Sequence, residues 1–127
     1  MKIRYEVKKA ADHTRVDAAG EFDVADARQV LAAAIEAALR HQHRKILVDC
    51  RQVTGTPSTL QRFEWAESVT RFYHRERSGV VIRMAIVGVE PLIDRDRFGQ
   101  SIAQNRGLPV KITTKLEEAL SWLEIAG

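Results

Sequence analysis

Ile46, Leu47 and Val48 form an unbroken apolar run inside the segment 45–53, and this run limits the fold more than any other feature of the chain. A strand that is apolar at consecutive positions has no wet face, so it belongs inside a sheet that is covered on both sides. The flanking sequence supplies the cover. Upstream, Ile3, Tyr5 and Val7 alternate with Lys2, Arg4, Glu6 and Lys8, the period of a strand with one wet face. The turn-like KKAADH leads to residues 14–22, where Val16, Ala18 and Phe22 share a side, and the two segments predict an antiparallel hairpin. Asp23 is placed to cap a helix over residues 24–43. There Ala27, Val30, Leu31, Ala34, Ile35 and Ala38 keep helical spacing, and Arg28, Gln29 and Glu36 fall on the opposite face.

The plan repeats after the central run. Residues 60–75 are amphipathic through Phe63, Ala66, Val69 and Tyr73, and 80–89 form a second apolar strand. A shorter helix over 94–106, begun by Asp94 and Asp96, ends at Gly107, which suits a left-handed C-cap. A short strand over 110–113 follows. Thr114 and Glu117 have capping-box spacing before a last helix carrying Leu116, Ala119, Leu120 and Leu123. The order β β α β α β α β α predicts an α/β fold: a single-layer mixed sheet, antiparallel in its N-terminal hairpin and parallel afterwards, covered by about four helices. With 127 residues, 45% of them hydrophobic, and no repeat or linker, one domain over 1–127 is expected.

Charge and cysteine content exclude several classes. The 20 basic and 17 acidic residues give net +3 and are interspersed. Arg62, Arg71, Arg75 and Arg77 alternate with Glu64, Glu67 and Glu76, as on a solvated helix, so no nucleic-acid partner is expected. No stretch approaches the ~20 apolar residues of a membrane span. The start MKIRYEVKKAAD is charged where a secretory leader is apolar, and a cytoplasmic location is expected. Cys50 is the single cysteine; its apolar strand predicts an inert buried thiol. His41 and His43 lack a third metal ligand and read as a solvated, basic helix end. Phosphate-binding glycine loops are missing, and no nucleophile and base stand at a recognisable spacing. No catalytic residue, cofactor or metal is therefore expected, and the chain reads as a non-enzyme.

Any site should draw on the loops beyond the carboxyl ends of the strands, and the stretch VDCRQVTGTPSTLQRFEWA is the richest of them. Ser58 precedes Gln61 by three residues at the start of the second helix, the spacing of a capping box. The hydroxyl thus has a structural role. It also occupies a favourable place for a phosphate, because free amides and the positive end of the helix dipole stabilise the added charge.

The element order and this stretch resemble the STAS domain of bacterial anti-sigma-factor antagonists of the SpoIIAA-like type. In that family a strand ending in Asp is followed nine or ten residues later by a Ser or Thr that a partner kinase phosphorylates. The resemblance puts Asp49 in the first role, orienting the loop, and Ser58 or Thr59 in the second. Pro57 and Leu60 stand where the family usually has an acidic residue and a glycine. With AQNRG and EEALSWL, the stretch is also similar to a STAS-like branch grouped with CRAL-TRIO lipid carriers.

Two functions follow from the resemblance. One is switching through a protein partner, either an anti-sigma factor or a kinase-like protein. The other is carriage of an anionic or lipid-like small ligand, with Arg51, Arg62 and Arg106 around the head group. Ligand or partner is expected to bind through Asp49, Arg51, Thr54, Thr56, Arg62, Trp65, Asn105 and Arg106, and the helix from Leu60 would supply the contact face for a partner. A dimer is compatible with either. An apolar cavity lined by Trp65, Phe72 and Phe98 would favour the carrier, and a well-packed core with an exposed Ser58 hydroxyl would favour the switch.

Overall fold

The structure, a computed structural model, describes residues 1–126. The elements run β1 (Ile3–Lys9), β2 (Thr14–Glu21), α1 (Val24–His41), β3 (Lys45–Thr54), α2 (Thr59–Glu76), β4 (Arg83–Val87), α3 (Phe98–Asn105), β5 (Val110–Thr113) and α4 (Leu116–Leu123). The sheet order is β1-β2-β3-β4-β5. The β1–β2 pair is antiparallel and every later pair is parallel, as the sequence predicts.

Strands β2 to β5 lie side by side in chain order. Right-handed crossovers in such a sheet put all their helices on one face. Ile46, Val48, Met84 and Ile86 accordingly join residues of α1, α2 and α3 in the larger core, whereas Leu47, Ala85 and Val87 pack against Ala119 and Leu123 of α4. The opposite parities of Leu47 and Val48 are the period-two alternation of a strand buried on both faces. The short α4 contacts β3, β4 and β5. Beyond its reach, the same face of the hairpin carries charge: Lys8 pairs with Asp17 at 3.0 Å, and Arg15 pairs with Asp17 at 3.0 Å and Asp49 at 3.1 Å.

Local chemistry fixes the joints. Asp23 caps α1 by accepting the Asp26 amide at 3.0 Å, and the Asp26 carboxylate accepts the Lys2 and Ile3 amides at 2.6 and 3.0 Å, tying β1 to the helix. At Gly20, φ is +126° and an added Cβ would lie 2.1 Å from the Lys2 carbonyl oxygen, so no other residue fits.

Helix α1 ends at His41 rather than at 43, and three further elements depart from expectation. Strand β4 is shorter than 80–89, because Val81 is exposed and the Ile82 amide donates to the Tyr73 hydroxyl at 3.1 Å instead of to a strand. Helix α3 begins at Phe98 rather than Asp94: Arg97 is left-handed (φ 53°), and Asp94 reaches across the turn to accept the Phe98 amide at 3.0 Å. Helix α4 has no Thr114 cap. The Thr113 hydroxyl accepts the Lys115 amide and donates to Glu118, both at 3.1 Å.

Candidate binding site at the carboxyl ends of the strands

Residues 54–59 leave the sheet over Phe22. The Phe22 amide donates to the Thr54 carbonyl at 2.8 Å, and the Thr54 hydroxyl donates to the Gly20 carbonyl at 3.3 Å. Gly55 has φ +125°, and a Cβ there would approach the Phe22 Cβ to 3.0 Å, so the close crossing requires glycine. Pro57 is buried, while Thr56, Ser58 and Thr59 are exposed. Both halves of the capping box form: Ser58 Oγ accepts the Gln61 amide at 3.1 Å, and the Ser58 amide donates to Gln61 Oε1 at 2.8 Å. Next to this cap Leu60 is 63% exposed, an apolar residue without cover on the first turn of α2.

Asp49 lies away from this loop. It shares the face of Leu47, and its carboxylate accepts from the Arg51 amide and Nε at 3.0 Å each, from Arg51 Nη2 at 2.7 Å and from Arg15 Nη2 at 3.1 Å. The bonds to Arg51 hold its carboxyl below the usual range. Asp49 thus organises two arginines on the open sheet face.

The three arginines placed around an anionic head group do not converge. Arg51 is held by Asp49. Arg62 donates to the Leu92 carbonyl at 2.6 Å and the Pro91 carbonyl at 3.1 Å and lies 3.5 Å from Asp94, which clamps α2 to the loop after β4. Arg106 lies 3.9 Å from Glu67 and over the ring of Phe63, and Asn105 is exposed at the end of α3. These are salt bridges and clamps, and each guanidinium already has a carboxylate near it.

What the structure does bring together is an apolar cavity of about 100 Å³ between the sheet and the helices α1, α2 and α3. Phe22, Val30, Cys50, Trp65, Ile93 and Ile112 are among its walls. Trp65 lines it as expected; Phe72 and Phe98 do not. Neither of the two arrangements set against each other in the sequence is met alone, since the cavity coexists with an exposed Ser58 hydroxyl. Cys50, expected to be buried, is half-buried as a residue in the wall of this cavity, but desolvation of its thiol, with the Asp49 charge a smaller cause, pushes it up to about 12, so it stays protonated.

At the other end of the sheet the histidines differ from expectation. His43 is buried, and the hydroxyl of the fully buried Thr14 is 3.0 Å from both His41 Nδ1 and His43 Nδ1. The HQH spacing therefore serves a buried hydrogen-bond cluster instead of a solvated helix end. Among the described residues, no group of three or more His, Cys, Asp or Glu side chains is placed to hold a metal, and no helix is long and apolar enough to cross a membrane. The cavity and the Arg62 clamp had no legible signal in the sequence, because their parts come from all five strands, the helices α1 to α3 and the loops between them.

A mixed sheet with three helices on one face and one on the other, and with a capped helix start beyond its third strand, has the architecture of the anti-sigma-factor antagonists. The chain is similar in structure to an anti-sigma factor antagonist from Mycobacterium paratuberculosis, at TM-score 0.59 and 18% identity over 96% of this chain and 94% of that one. It is also similar to the anti-sigma factor antagonist SpoIIAA in its unphosphorylated form, at TM-score 0.54 and 14% identity over 98% and 100%. No curated protein matches the sequence. The SpoIIAA-like family model matches residues 14–124, and the chain belongs to that family.

Proposed function

We propose that this chain is a non-enzymatic regulatory domain of the cytoplasm that binds a protein partner, an anti-sigma factor or a kinase-like protein, and is switched by phosphorylation of Ser58 or Thr59. The observation that carries the reading is the exposed Ser58 hydroxyl at the start of α2, beside the uncovered Leu60. A phosphate on either hydroxyl would meet the positive end of the helix dipole and the amides of the first turn. It would also add up to two negative charges next to an apolar contact residue, which is enough to oppose docking of a partner there. Both similar structures are of anti-sigma factor antagonists, one of them in an unphosphorylated form, which supports a protein partner.

The test is intact and peptide mass spectrometry on the protein purified from its own host across growth phases. One phosphoryl group mapped to the peptide holding Ser58 and Thr59, and lost in the double alanine variant, is the expected result. A chain unmodified in every phase, or modified only elsewhere, rejects the switch.

A further inference from the structure

The cavity under Trp65 has a size, a polarity and a charge balance that together select a ligand class. At about 100 Å³ it falls short of the roughly 300–1,000 Å³ of drug-sized ligand pockets. It is comparable to the roughly 150 Å³ apolar cavity that stays dry and takes up benzene. One ring or a short branched chain fills it. Its opening is kept by small residues: Ala18, Ala27 and Gly99 are in the wall, and a Cβ on Gly99 would already touch the Trp65 ring at 3.4 Å.

Charge decides the rest. Arg62 and Asp94 are the charged residues among its lining. They lie 3.5 Å apart, and both terminal nitrogens of Arg62 donate to the Pro91 and Leu92 carbonyls. An anion entering here would compete with those bonds and face the Asp94 carboxylate, and a cation would face the guanidinium. A neutral guest meets neither penalty.

We propose that this cavity is a binding site for a small neutral apolar molecule the size of a single aromatic ring, held against Trp65. The occupant would also touch Pro57, the residue before the Ser58 cap, so it bears on the geometry of the α2 start. The site is read by direct binding and stands or falls independently of phosphorylation.

Toluene is the probe, with benzoate as its anionic counterpart, and the readout is the proton–nitrogen NMR spectrum of the full chain. The chain has two tryptophans, and Trp122 packs with the α4 cluster on the far face of the sheet, so its indole signal serves as the internal control. The expected result is a saturable shift of the Trp65 indole and the Gly99 amide with toluene, no shift of Trp122, and none of the three with benzoate. Ala27→Leu, which fills the cavity, should abolish the saturable shift while the amide spectrum stays dispersed. Equal or non-saturating shifts at Trp65 and Trp122, or a saturable response to benzoate, would overturn the proposal. Undiminished toluene binding by a folded Ala27→Leu chain would overturn it too. Should that variant not fold, the two tryptophans of the unaltered chain still decide.

Discussion

Ser58 and Thr14 are both hydroxyl residues next to a helix end, at opposite ends of the sheet, and their surroundings differ in every respect. Ser58 is exposed, and its side chain bonds only within its own helix turn. Thr14 is fully buried and sits between two imidazoles contributed by the C-terminal end of α1 and the turn after it. A hydroxyl carries one proton, so Thr14 can donate to one Nδ1 and accept from the other, which assigns the two rings opposite tautomers. One end of the molecule is thus closed by a satisfied polar cluster. The other has an exposed cap, an uncovered leucine and an apolar cavity.

The comparison is tested most severely through Cys50. With its thiol pushed up to about 12 from an ordinary 9.0, the thiolate population near neutrality falls on the order of a thousandfold. A thiolate of higher pKa is also the stronger nucleophile, so native labelling by a disulfide reagent should be slower than labelling of the unfolded chain by about thirtyfold. Fast native labelling would mean that the cavity wall opens to water.

Next in size is Thr14→Val, which strands two imidazole nitrogens inside the closed end. It should cost about 2 kcal/mol in denaturant unfolding, and a loss as small as that of a surface substitution would show that the cluster does not lock this end.

Acidification probes the same cluster. Burial lowers the affinity of His41 and His43 for protons. The neighbouring charges of His43, Lys9 and Arg40 add to this at His41 and those of Lys9 and His13 at His43, with Asp12 and a hydrogen bond to the Ala11 backbone opposing at His43. The unfolded chain then binds more protons than the folded one below the ordinary histidine value of 6.5, so stability is complete above it and lost as the pH falls through and below it. The thermal midpoint should drop between about pH 7 and pH 5.5, before carboxylates titrate; a flat profile would contradict neutral rings bonded to Thr14.

The smallest effect belongs to the open end. Ser58→Ala removes one exposed cap and should cost about 1 kcal/mol, less than Thr14→Val. If the order of the two losses were reversed, the contrast between a closed and an open end would be wrong.

Legibility in the sequence followed the range of the interactions. The Ser58–Gln61 box and the Asp23 cap lie within three residues of their partners, and both appear in the structure where the spacing puts them. Thr114 had the same spacing and failed, because Thr113, turned inward at the end of β5, supplies its hydroxyl first. Arg62 could be seen to lie on the second helix. That it clamps residues 91–94 depends on α2 crossing the loop after β4, thirty residues away in the chain. The histidine pair was misread for the same reason: its partner, Thr14, belongs to a strand on the far side of α1 in the sequence.

The sequence by itself determined the element order, the antiparallel hairpin, the doubly buried β3 and the capped start of α2, since periodicity and capping are written in neighbouring residues. Tertiary structure alone decided which charges are spent on one another, which histidines are buried, and where packing leaves a space beside Trp65. Those outcomes depend on side chains that meet across the sheet and between helices, and their distances follow from how the layers stack, which no local pattern of residues encodes.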